Sequence, residues 1–189
     1  MEMIRKPVKE EYAIVLDFLM NGHPFDSRPA YKKTSVAQAI GSEHFILLEL
    51  VPKKGIFLQP YEKVYTGEGK REKIHHIFGK IDYSRLTETA KNELDHVLKE
   101  MVENDSSRFL AFFNKAGPIN VRRHQLELLP GVGKRHMREI LDRREEKEFD
   151  SFDDIRKRVR LLPDPLKVVI RRIISELKGE DKHKIFVGV

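Results

Sequence analysis

The stretch Leu126-Glu127-Leu128-Leu129-Pro130-Gly131-Val132-Gly133-Lys134-Arg135 decides how the C-terminal third of this 189-residue chain is read. Apolar residues run up to Pro130, two glycines flank Val132, and a basic segment follows with apolar residues at Met137, Ile140 and Leu141. Glycine accepts φ > 0 and leaves its amide uncovered, so Gly-x-Gly permits a tight turn whose backbone an anion can approach closely. A helix expected from about Gly133 offers unsatisfied N–H groups and the positive end of its dipole to the same point. Lys134, Arg135 and Arg138 add mobile positive charge around it. Such an arrangement suits a sugar-phosphate backbone and carries little base information.

The stretch recurs 33 residues later without a gap. Leu128-Leu129-Pro130 reappears as Leu161-Leu162-Pro163, Lys134 as Lys167, and Met137, Ile140 and Leu141 as Ile170, Ile173 and Ile174. The repeat keeps the apolar register of two helical hairpins and predicts a pseudo-symmetric pair with a shared core. Gly131 and Gly133, however, become Asp164 and Leu166, so the second copy is expected to be structural.

Leu126-x-x-Leu129-Pro130-Gly131-Val132-Gly133, followed by a helix with Ile140 and Leu141 inward, resembles the helix-hairpin-helix motif. The resemblance covers about 20 residues. It implies nucleic-acid contact through Pro130, Gly131, Val132, Gly133, Lys134, Arg135 and Arg138, and a domain that pairs one intact hairpin with one degenerate copy. Where many members of that family have alanine between the two helices, this chain has Met137, which implies a wider hairpin.

Toward the N-terminus, Leu86, Ala90, Leu94, Val97, Leu98, Met101 and Val102 fall three and four apart and predict an amphipathic helix. A second helix is expected after Asp105 as its cap, with Phe109, Phe112 and Phe113 in the core and Gly117-Pro118 as its stop. Before Asp82 the pattern is that of short strands: Tyr12 to Leu19, His44 to Val51, an extended Ile56-Phe57-Leu58, and a hairpin formed by Lys63 to Thr66 and Ile74 to Phe78 around Gly67-Glu68-Gly69-Lys70-Arg71. Several short strands without long intervening helices indicate a small antiparallel barrel or sandwich.

Charge follows the same division. Residues 118–189 hold 18 Lys and Arg against 13 Asp and Glu, a net +5 out of +6 for the whole chain, which favours a polyanionic partner for the C-terminal third. The absence of cysteine excludes disulfides, thiolate metal sites and cysteine nucleophiles. No signal-peptide pattern and no apolar run of about 18 residues occurs, so a cytoplasmic protein without membrane attachment is expected.

The strand-rich start, the segment Arg108-Phe109-Leu110-Ala111-Phe112-Phe113-Asn114-Lys115-Ala116-Gly117 and the hairpin repeat together resemble an uncharacterised archaeal family described as RNA-binding. That resemblance covers nearly the whole chain. It implies an α+β protein in which an OB-like antiparallel β-barrel at 1–82 and a helical connector at 83–117 precede an all-α tandem helix-hairpin-helix domain of the SAM-like kind at 118–189.

Other groups were weighed for chemistry. His75-His76 with Asp82 makes a poor metal site if adjacent strand residues point to opposite faces. His124 and His136 lie among arginines and are expected to meet phosphate or solvent. Asp153-Asp154 and Glu145-Glu146 diverge on a helix and sit beside arginines, which suits charge balance better than acid–base work. No phosphate-binding Gly-rich loop with Lys-Ser/Thr and no Gly-x-Ser-x-Gly occurs. The expectation is a non-enzymatic binder with no catalytic residue, cofactor or metal, with RNA as its partner and DNA as the alternative ligand. An accessory role in DNA repair and a protein-interaction module are the competing readings. Protein partners are not legible in the sequence.

Overall fold

Strand β1, Tyr12–Leu19, seeds the sheet because its inward positions Ala13 and Val15 are fully apolar, and a register shift between Val15 and Asp17 also buries Leu16. Here and below we describe residues 8–24 and 26–189 of a computed structural model. The strand pairs antiparallel with β2 (Val36–Gly41), β2 with β3 (Leu47–Pro52), and β3 with β5 (Ile74–Lys80), while β4 (Lys63–Tyr65) pairs with the other side of β1. The result is a curled five-stranded antiparallel half-barrel in the order β4-β1-β2-β3-β5. Its inner face gathers Ala13, Val15, Ala37, Ala39, Leu48, Leu50, Leu58, Val64 and Ile74 into one core.

The expected hairpin between Lys63–Thr66 and Ile74–Phe78 does not form; β4 and β5 lie at opposite edges of the sheet. Curling explains how neighbouring strands in sequence can avoid pairing. The connection between them folds on itself, with Gly69 N donating to Tyr65 Oη (3.1 Å) and Arg71 Nε to Gly67 O (2.8 Å), and it is tied to the end of β3 by Lys53 N donating to Lys73 O (2.9 Å). Ile56-Phe57-Leu58 belongs to no strand, although Leu58 reaches the core.

Helix α1, Glu88–Asn104, carries the expected buried stripe from Ala90 to Val102 and starts at Thr87, whose Oγ1 accepts from Ala90 N (3.0 Å). Helix α2, Ser106–Lys115, buries Phe109 and Phe113 as expected, whereas Phe112, expected in the core with them, is only half-buried. Asp105 precedes it without capping it: its carboxylate accepts from Ser107 Oγ at 3.3 Å and not from a backbone amide.

Beyond α2 come a two-stranded ribbon, β6 (Pro118–Asn120) with β7 (Arg123–His124), a 3-10 turn at Gln125–Leu128, and helices α3 (Lys134–Glu146), α4 (Phe152–Arg158) and α5 (Pro165–Leu177). The region expected to be all-α therefore opens with a small ribbon, and only a 3-10 turn precedes its glycines.

The chain divides into two compact units, one holding the described part of Met1–Val97 together with Ser175–Val189, the other Leu98–Ile174. The divisions fall within α1 and α5. In the first unit, buried Glu176 accepts from Ile185 N (2.9 Å), Phe186 N (3.1 Å) and Val187 N (2.9 Å), and Gly188 N donates to His44 O (2.8 Å), which ties the C-terminal segment down. Among the described residues no helix is long and apolar enough to cross a membrane.

Candidate nucleic-acid interface

The turn before α3 is built from short-range bonds. Leu129 N donates to Leu126 O (3.2 Å) and Val132 N to Leu129 O (3.0 Å), while Val132 is buried and pins the loop from inside. Gly131 sits at φ +81°, where a side chain is strained, and a Cβ there would lie 3.2 Å from Pro163 Cγ. The first glycine is thus required twice, by its own conformation and by the close approach of the second copy's proline.

Gly133 does something different. Its φ of −89° and ψ of 179° are open to any residue, and a Cβ built there meets nothing within 4 Å. It is the residue before α3, and no side chain caps that helix; the first helical bond is Met137 N to Gly133 O (3.0 Å). The amides of Lys134, Arg135 and His136 therefore open the helix without intrahelical acceptors. Lys134, Arg135 and Arg138 are exposed, and among the described residues none of the three makes an ion pair. His136 Nδ1 lies 3.1 Å from Gly131 O, so the ring folds back over the turn. Pro130 is half-buried at its entrance, and Met137 is half-buried one turn into the helix.

The second copy shows what an anion does at the equivalent place. Helix α5 begins with Asp164-Pro165, a capping residue followed by a proline at the first helical position. The Asp164 carboxylate accepts from Leu166 N (3.0 Å) and Lys167 N (3.4 Å), and Arg156 Nη2 donates to its other oxygen (3.1 Å). Measured from Leu-Leu-Pro, α5 starts two residues earlier than α3. One helix start carries its own carboxylate and counter-cation; the other presents bare amides and unpaired basic side chains. An Asp-Pro pair is a helix-start signature, so this difference could have been read from the sequence.

The remaining chemical candidates are placed differently from expectation in two cases. His124 does not face phosphate or solvent: it is 8% exposed, its Nδ1 accepts from Leu126 N (3.1 Å), and Glu127 returns the bond by accepting from His124 N (2.8 Å). Burial, reinforced by Arg144, holds its pKa below the ordinary histidine value. His75 and His76 do not diverge; a register shift between Val51 and Pro52 on β3 leaves His75 unpaired, and the two Nδ1 atoms lie 2.8 Å apart. Among the described residues no group of three or more His, Asp or Glu side chains could hold a metal. Asp154 pairs with Arg158 (2.9 Å), Asp153 with Arg156 and Glu146 with Arg143 (3.1 Å), the charge-balancing arrangement expected of them.

Comparison with known proteins places this architecture. A family model described as a protein of unknown function, DUF655, matches residues 9–188. The uncharacterized protein MJ0038 of Methanocaldococcus jannaschii is 40% identical over 185 residues, covering 97% of this chain and 82% of that protein. The crystal structure of Af1531 from Archaeoglobus fulgidus superposes with a TM-score of 0.87 at 41% identity, covering 94% of this chain and 99% of the other. The expected kinship with an uncharacterised archaeal family is borne out, and the chain belongs to the DUF655 family.

Proposed function

We propose that this protein is a non-enzymatic nucleic-acid-binding protein that grips a sugar-phosphate backbone, RNA foremost, through a helix-hairpin-helix turn at Pro130–Arg138. The observation that carries the reading is the contrast between the two helix starts: Asp164 supplies an anion to α5, while α3 has only Gly133 before it and no side-chain cap. A phosphate at α3 takes the part that the Asp164 carboxylate takes at α5, its oxygens accepting from backbone amides at the positive end of the helix dipole and flanked by Lys134, Arg135 and Arg138. The net +5 of residues 118–189 supports the same partner.

Fluorescence anisotropy with a labelled single-stranded RNA and its DNA counterpart, titrated from about 50 to 200 mM salt, tests the reading. Contact with several phosphates makes the affinity fall steeply over that range. A flat salt dependence removes backbone recognition. Equal affinity for the two strands places no contact on the 2′-hydroxyl, whereas tighter RNA binding does.

A further inference from the structure

Gln38 on β2 and Glu49 on β3 are cross-strand partners, and both are buried. Gln38 is satisfied at both ends, its Nε2 donating to Arg85 O (2.9 Å) and its Oε1 accepting from Thr87 N (2.8 Å). Glu49 is not: its side chain is 4% exposed, and its Oε1 has no hydrogen-bond donor. A buried carboxylate oxygen without a donor is destabilising, so the position rewards any group that brings an N–H to it.

Glu49 lines a groove of about 820 Å³ whose other lining includes Phe78 of β5 and the segment Ser84–Glu88. Phe78 is there because of a bulge: Glu49 pairs with Gly79 and Leu50 with Ile77, which leaves Phe78 between them without a partner. Bulges re-aim side chains, and this one leaves the ring 67% exposed beside the buried carboxylate. Arg85 and Lys91 also line it, Lys91 paired with Glu88 (2.7 Å). The groove thus combines an exposed flat apolar ring with a buried acceptor that lacks a donor.

We infer that this groove is a binding site for a nucleobase, specifically guanine, which stacks on Phe78 and donates its N1–H and N2–H to the Glu49 carboxylate. Adenine and cytosine each place a ring acceptor beside their amino group, and uracil flanks its single N–H with carbonyls, so each sets a lone pair against the carboxylate. Guanine alone presents two adjacent donors. Single-stranded bases are recognised in this way, by stacking together with hydrogen bonds on the Watson–Crick edge. The inference takes the source of the base from the nucleic-acid reading above, but its chemistry from residues of the strand-rich unit alone. The base belongs either to a free guanine nucleotide or to a single-stranded RNA.

The test titrates the full chain calorimetrically with GMP, AMP, CMP and UMP, and by anisotropy with an oligo-U strand carrying one central guanosine or none. Guanine binds at least about tenfold more tightly than the other bases, Glu49→Gln abolishes that preference, and Phe78→Ala weakens all bases alike. Phe78 is exposed, so its variant also serves if the Glu49 variant is unstable. A preference seen with both GMP and the oligomer assigns the RNA chain as ligand; one seen with GMP alone assigns the free nucleotide. Absence of guanine preference, or its survival in Glu49→Gln, overturns the inference. Gly133→Val separates the two sites, since it weakens binding of every oligomer alike while GMP, which does not reach the α3 turn, keeps its affinity. Salt-dependent RNA binding without a guanine preference overturns this inference alone, and GMP binding without salt-dependent RNA binding overturns the hairpin reading alone.

Discussion

Glu139 on α3 and Arg172 on α5 are equivalent under the 33-residue repeat, and each reaches into the turn of the other copy. The Glu139 carboxylate accepts from Arg160 N (2.8 Å), and Arg172 Nη1 donates to Leu128 O (2.9 Å). Acceptor has become donor between the copies, yet the reciprocity survives, because one turn offers an amide and the other a carbonyl. With Pro163 against Gly131, these bonds make each turn part of the other's support.

Arg172→Ala should destabilise the protein by about 1–3 kcal/mol, because Leu128 is buried and its carbonyl loses its side-chain donor. Glu139→Gln retains an acceptor for Arg160 N and should cost far less. Urea unfolding followed by circular dichroism measures both. Equal stability of the arginine variant and the parent would show that the bond to Leu128 contributes nothing.

Asp164→Ala removes the α5 cap and should cost about 1 kcal/mol of stability. The salt slope of RNA binding should stay unchanged if phosphates are held at the α3 turn alone. A change in slope would mean that the second turn also meets phosphate.

His124 gives the stability a pH dependence of defined sign. Its ring accepts from Leu126 N and is therefore neutral when folded, and burial holds its pKa below the ordinary value. As pH falls, the unfolded chain takes up the proton first, so this contribution is complete above about 6.5 and is lost below that, down to the lowered folded pKa. The melting temperature should fall between about pH 7 and pH 5, and His124→Asn, which keeps a capping oxygen without titrating there, should show a smaller drop. An equal drop in both proteins would place the acid sensitivity elsewhere.

Local signals were legible in the sequence and pairings were not. β1 was readable as Tyr12–Leu19 because apolar and β-branched residues cluster between clear turn residues, and the stripe of α1 because its spacing is helical. β2 escaped notice because Val-Ala-Gln-Ala-Ile-Gly has little of the β-branched and aromatic character that marks a strand. β4 and β5 were found, but spacing cannot say that each pairs with a distant strand. The β6–β7 ribbon is too short to leave a pattern. At the candidate interface the glycines and the repeat were visible, while the roles of Glu139, Arg172 and His124 depend on which buried backbone group each one meets. Glu49 and Phe78 lie 29 residues apart and become a pair only through a bulge in β5.

The decisive prediction concerns the two glycines, which the structure separates. Gly131→Val places a side chain at φ +81° and 3.2 Å from Pro163, so loss of binding in that variant could come from a distorted turn. Gly133→Val is free of both problems, since its backbone is extended and the space around it is open. The new side chain adds bulk immediately before Lys134, where it should hinder an anion approaching the start of α3 without disturbing the fold. RNA binding should weaken by about 1–3 kcal/mol if one or two charge-assisted hydrogen bonds are lost. Lys134→Ala with Arg135→Ala should lower affinity for all sequences alike and reduce the salt slope by about one for each phosphate contact removed. Circular dichroism and the melting temperature establish that each variant is folded. A folded Gly133→Val protein that binds RNA and DNA as tightly as the parent removes the phosphate from the start of α3, and with it the proposed function of the turn.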